Sequence, residues 1–142
     1  MSAFTPQELE YLTGQRLGRL ATVGSDGAPH VVPVGFRYNP ETDTIDIGGH
    51  NMARSKKWRD IANEPRVAFV IDDVLPPWRP RMIEIRGLAT RLGEGGDLGR
   101  GFDAEMLRIT PARIVSYGIQ TPGDLVSYDA RDVDASPPGT SA

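Results

Sequence analysis

Apolar residues along this chain recur mostly at every second position, in short runs closed off by glycine, proline, asparagine or aspartate. Alternation of that kind marks strands with one buried face. It predicts strands over Leu17–Val23, 28–38, Thr44–Gly48, 66–72 and 81–89, the fourth a continuous β-branched run expected at the centre of a sheet. Residues 105–109 and 113–119 read as a closing hairpin around Thr110-Pro111. The turns between them carry their own chemistry: Asp26-Gly27 supplies a positive φ, and 39–43 is rich in turn formers. Pro33 cannot donate to a ladder and Gly35 weakens one, so the second strand should have an edge, a bulge or a ligand-facing backbone there.

Helical periodicity is confined to two places. Thr5, Pro6 and Glu8 form a capping box with proline at the first helical position, Leu9 and Leu12 give the buried stripe, and Gly14 is expected to stop the helix in the left-handed region. Residues 55–63 form a short helix with Trp58, Ile61 and Ala62 on one face, ended by Pro65. Residues 74–80 are a proline-rich connection, and 93–101 a glycine-rich loop expected to be mobile. Six or seven short strands with so few helices exclude a parallel doubly wound sheet, so the expected architecture is mainly β, a small antiparallel barrel. The domain is expected to span residues 1–128. Residues 129–142, rich in aspartate, alanine, serine, proline and glycine, are expected to be a disordered tail.

With 142 residues the chain holds one core and no second full domain. A net charge of -3 gives no global basic excess for duplex binding, so no nucleic-acid partner is expected. Zero cysteines remove disulfides and thiolate chemistry, and two histidines, His30 and His50, leave little for a metal centre, so no metal is expected. There is no leading apolar segment with basic flanks and no long apolar run, so no membrane contact is expected and the compartment is read as the cytoplasm. Chemistry should therefore come from a bound cofactor.

The candidate seat for one lies at 48–58. Gly48 and Gly49 let the backbone approach a ligand, Ser55 is an N-cap, and Arg54, Lys56 and Lys57 crowd a helix start. Cations are unfavourable at that end of the macrodipole, and a bound anion reverses the conflict. A phosphate site follows; the competing possibility is a solvated basic turn. His50 either donates to a phosphate or protonates a substrate, or is a plain turn residue. Trp78, outside any periodic element, either stacks in a site or at an interface, or anchors a loop, while Arg79 and Arg81 either meet an acidic ligand or form wet ion pairs.

The succession Arg19-Leu20-Ala21-Thr22-Val23, 26–34, Ile47-Gly48-Gly49, Ser55-Lys56-Lys57 and 63–69 resembles the pyridoxamine 5′-phosphate oxidase-like split-barrel family over residues 4–119. Residues 35–40, 77–81, 83–87 and 113–116 make it most similar to the branch that uses the deazaflavin F420. The resemblance implies a six- to seven-stranded antiparallel split barrel that forms a homodimer, with cofactor grooves between the subunits. It implies that Ser55, Lys56 and Lys57 hold the cofactor phosphate and that main-chain groups of Val31, Val32, Pro33 and Val34 run along the tricyclic ring; Gly49, His50, Trp78 and Arg79, read above from the residues themselves, are the further cofactor-binding candidates. The implied activity is hydride transfer from F420 to a small unsaturated substrate, with no catalytic side chain assigned. The alternatives are FMN in the same fold, or a non-catalytic flavin or F420 carrier. The arginine-rich C-terminal segment of true pyridoxamine phosphate oxidases has no counterpart in 124–142, so that activity is not expected.

Overall fold

The computed structural model describes residues 1–121, 123–124 and 126–133. In chain order the elements are α1 (Pro6–Thr13), β1 (Leu17–Val23), β2 (Pro29–Asn39), β3 (Thr44–Gly48), α2 (Lys56–Asn63), β4 (Arg66–Leu75), β5 (Arg79–Leu92), β6 (Met106–Tyr117) and β7 (Tyr128–Asp132), with a 3-10 turn over Met52–Arg54. The strands pair antiparallel in the order β3-β2-β1-β4-β5-β6-β7, and β3 also pairs with β6. That extra pairing closes β1 to β6 into a six-stranded barrel and leaves β7 added to the outside of β6. This is the antiparallel split barrel that the alternating pattern and the resemblance led to.

The core follows from period-two alternation, because every second residue of a strand faces inward. Leu20, Phe36, Ile45, Ile47, Phe69, Ile71, Ile83, Ile85, Leu107 and Ile109 are all buried within the barrel. Phe36 and Phe69 meet edge to face at 5.5 Å, an arrangement that suits the ring quadrupoles. β4 lies between β1 and β5, as its β-branched run required. The capping box of α1 forms as expected, with Thr5 Oγ1 accepting from the Glu8 N–H at 3.1 Å and Glu8 accepting from the Thr5 N–H at 2.9 Å.

Several expectations are corrected. Gly14 ends α1 at φ −88, in the right-handed region, its N–H bonding back to Leu12 and Tyr11. Ala62 is exposed, and the inward position of α2 is taken by Asp60. The connection at 74–80 shrinks to Pro76, Pro77 and Trp78, because β4 and β5 pair out to Leu75 and Arg79. Thr110-Pro111 is not a hairpin: β6 runs through it unbroken, with an irregularity opposite Arg86 and Gly87. Proline is tolerated there because β6 bulges at this point: Gly87 pairs with Pro111 and Arg86 with Arg113, leaving Ala112 as an extra residue opposite β5.

The disordered tail expected from residue 129 is also corrected at its start. Residues 128–132 form β7, and Arg131 pairs with Glu8, a fully buried carboxylate that also accepts from Gln120 Nε2 at 2.7 Å. Composition hid a strand that one long-range ion pair ties down. Residues 134–142 lie outside the described residues. Among the described residues no helix is long and apolar enough to cross a membrane.

Candidate functional site

The start of α2 divides the expected phosphate seat into engaged and free groups. Ser55 is the N-cap, accepting from the Trp58 N–H at 3.3 Å, and its hydroxyl donates to the Met52 carbonyl at 2.6 Å. Lys56 is committed to Asp60, with Nζ 2.9 and 3.1 Å from its two oxygens. Asp60 also accepts from Thr22 Oγ1 at 2.8 Å. Burial alone would raise the Asp60 pKa, but Lys56 and Thr22 outweigh it and hold the carboxyl below its ordinary range. Lys57 differs from both neighbours. It is half-buried, and among the described residues neither an ion pair nor a hydrogen bond engages its ammonium. Burial pushes its pKa down, the response of a cation removed from water with nothing to replace the lost hydration. Arg54 stands exposed beside it.

A second component is the edge of β2. β3 pairs with β2 only from Gly35 to Asn39, so residues 29–34 have β1 on one side and no strand on the other. Val31 and Pro33 point outward and are exposed, Val32 is half-buried, and Val34 is in the core. After β3 the chain leaves Gly48, opposite Gly35, and returns so that Lys56 Nζ lies 3.1 Å from where a Cβ on Gly24 would stand, at the β1–β2 turn. The segment holding Gly49, His50 and Ser55 to Lys57 thus runs alongside the unpaired β2 edge. The start of α2, which carries Lys57, is thereby brought near backbone groups left without a ladder partner.

The glycines work differently from the expectation. A Cβ on Gly48 would come 2.5 Å from the Gly96 carbonyl and 2.7 Å from the Phe102 ring. One on Gly35 would come 3.1 Å from an Arg100 guanidinium nitrogen and 3.3 Å from Phe102. These two missing side chains admit the 93–105 loop of the same chain. That loop, expected to be mobile, is docked as a strap: the Asp103 N–H donates to the Gly49 carbonyl at 2.9 Å, and Asp103 Oδ2 accepts from the Met52 N–H at 3.1 Å. Leu98 anchors it, buried at φ 54. His50 is exposed, its ring edge to face with Phe102 at 5.5 Å. Gly49 has only the Met52 methyl near its absent Cβ, at 3.9 Å.

Trp78 and Arg79 are not brought to this neighbourhood within one chain. Trp78, 72% exposed, is at the tip of the β4–β5 hairpin. Arg79 lines a cleft of about 430 Å³ beside α1, shared with Tyr11, Gln15, Arg81 and Ile119. Arg81 is occupied there by a two-pronged pair with Asp73 at 2.9 and 2.6 Å. Arg81 foremost, then the hydroxyl of Tyr11, hold the Asp73 carboxyl below its ordinary range despite partial burial. Asp60 is not among the residues expected from the sequence, although its i,i+4 spacing from Lys56 is a visible signal. Arg100 and Phe102 are not among them either, because nothing periodic marks them.

A family model described as pyridoxamine 5′-phosphate oxidase matches residues 4–122. Over 140 residues the chain is 48% identical to 5a,11a-dehydrotetracycline/5a,11a-dehydrooxytetracycline reductase of Streptomyces rimosus, covering 96% of this chain and 97% of that protein. Among solved structures, General Stress Protein 26 from Bacillus anthracis matches with a TM-score of 0.66 at 21% identity, over 89% of this chain and 96% of that one. The FAD binding protein from Mycobacterium smegmatis matches with a TM-score of 0.61 at 20% identity, over 82% and 96%. At such identities the two structures speak to the fold alone.

Proposed function

This chain belongs to the pyridoxamine 5′-phosphate oxidase family, and from that premise we propose that it is an F420-dependent reductase, working as a homodimer on an unsaturated substrate of the dehydrotetracycline kind. The observation that carries the reaction class is identity of 48% to a reductase along nearly the whole of both chains. The chain is an oxidoreductase.

The fit to a phosphate-bearing cofactor rests on Lys57, a half-buried ammonium without a carboxylate against it among the described residues. When bound, F420 supplies a hydride in one two-electron step. Lys57 and the orphan N–H groups of the first α2 turn hold the phosphate. Ser55 and Lys56 contribute by fixing that turn, since their polar atoms are already engaged with Met52, Trp58 and Asp60. The unpaired main chain of Val31, Val32, Pro33 and Val34 offers donors and acceptors along the ring edge, and His50 borders the same stretch. For the dimer, support comes from the outer barrel face, where Leu17 and Val31 are 53% and 65% exposed. A second copy over that face would remove apolar surface from water, and it is the arrangement in which Trp78 and Arg79 of one subunit reach the groove of the other.

Titration of the purified protein with F420 and with FMN, followed by turnover of 5a,11a-dehydrotetracycline with reduced F420, tests the proposal. Saturable F420 binding tighter than that of FMN, with consumption of the dehydrotetracycline, is expected. A yellow FMN chromophore retained on purification, together with no F420 binding, would overturn the cofactor assignment.

A further inference from the structure

We infer that Arg100 and Phe102, on the strap at 93–105, are specificity-determining residues, which select a planar ring substrate carrying an anionic oxygen such as an enolate. The role presupposes the reductase function proposed above. The strap lies on the outer side of the Gly35–Gly48 pair, at one end of the β2 strip formed by Val31 and Pro33, with the Lys57 turn flanking the unpaired edge. Its placement is built in rather than incidental. Asp97 Oδ1 accepts from the Arg100 and Gly101 N–H groups at 3.0 and 2.8 Å, Gly96 bonds to Ala104 at 2.9 Å, and Asp103 ties the far side to Gly49 and Met52.

What the strap presents is one aromatic ring and one cation. Phe102 is half-buried, with His50 on its edge and the Arg100 guanidinium 6.0 Å from its centroid. Among the described residues Arg100 forms no ion pair, and its side chain is turned in toward Gly35. The guanidinium's contact is with the Phe102 ring, and among the described residues none of its N–H groups is hydrogen-bonded. A planar fork of donors next to an aromatic face matches a ring with an acidic oxygen at its rim: the ring meets Phe102 and the oxygen accepts from Arg100. Neither residue touches Lys57 or the first turn of α2, so removal of Arg100 should change substrate choice and spare the phosphate seat.

The probes are 2-hydroxy-1,4-naphthoquinone, an anion at neutral pH, and its neutral 2-methoxy ether. Binding of each to the wild type, Arg100→Ala, Arg100→Lys and Phe102→Ala is measured by equilibrium dialysis, with F420 titration and melting curves on the same samples. Loss of a charge-assisted contact predicts roughly tenfold or greater weakening of the hydroxyquinone in Arg100→Ala. Partial recovery is expected in Arg100→Lys, and less than about twofold change for the ether. Phe102→Ala should weaken both probes, and Arg100→Ala should melt with the wild type. Equal loss of both probes in Arg100→Ala, no loss of either, or no binding of the hydroxyquinone to the wild type overturns the inference. Failure of the wild type to bind F420 while the Arg100 discrimination persists would instead overturn the cofactor proposal alone.

Discussion

Lys57 is the residue at which fold and proposed function pull in opposite directions. Its ammonium has lost part of its water and gained no carboxylate, so Lys57→Ala should leave the cofactor-free protein as stable or slightly more stable. Binding of F420 should fall roughly tenfold to a hundredfold, the worth of one charge-assisted hydrogen bond of about 1.5–3 kcal/mol; calorimetric titration beside melting curves reads both. The same cation sets a pH signature. The folded-state pKa is depressed below the ordinary 10.5, so between the two values the unfolded chain binds more protons and stability rises with pH. The difference in urea midpoint between wild type and Lys57→Ala should therefore move in favour of the wild type as pH climbs toward 10.5, and added phosphate ester should flatten it. Asp60 carries the acid-side counterpart. Its folded pKa lies below 3.8, so its contribution is complete above that value and is lost as pH falls through the folded one. Asp60→Ala, which strands Thr22 and Lys56, is expected to destabilise by about 1–3 kcal/mol in chemical denaturation at neutral pH.

Among the elements, those legible in the sequence were the ones whose signals are local. Thr5, Pro6 and Glu8 announced α1, and Ser55 announced α2, because a cap is satisfied within three residues. Proline normally ends a strand, and only the bulge opposite Arg86 and Gly87 shows why Pro111 does not end β6. β7 is hidden for another reason. Arg131 finds Glu8 123 residues away in sequence, a distance that composition cannot sense. The glycine content of the strap predicts a mobile loop, whereas Gly35 and Gly48 are the sockets it fills. β7 supplies the sharpest element-scale prediction. Arg131→Ala leaves the fully buried Glu8 carboxylate without its cation. Removing one member of a buried pair costs about 3–5 kcal/mol, a figure to be lowered here because Arg131 is 27% exposed. A drop in melting temperature well beyond that of Arg113→Ala, whose partner Asp132 is mostly solvated, is expected.

For the molecule as a whole, the barrel was legible because seven runs of alternating residues leave little room for another architecture. The site was only half legible: residue types at 55–57 suggested a phosphate, yet which ammonium stays free depends on Asp60 and Thr22 meeting across the fold. Trp78 and Arg79 lie apart from that seat in one chain, so the composite groove stands or falls with the second copy. Light scattering at micromolar concentration is expected to give twice the mass of one chain. Val31→Asp, which places a charge on the outer face, is expected to give monomers that keep the fold but bind F420 weakly. A wild-type monomer would remove the composite groove.

Barrel closure has a kinetic side. Ile45, Asp46 and Ile47 pair with Ile109, Arg108 and Leu107, so the ring shuts only when two segments far apart in sequence find each other. The β1–β2 and β4–β5 hairpins can form long before, since their loop-closure entropy is small. During synthesis β3 must wait, with one edge open, until β6 has left the ribosome, and refolding in vitro should belong to the slow, non-local class of milliseconds to seconds. With closure as the slow step, Ile45→Val should slow refolding, an effect that stopped-flow chevrons read directly.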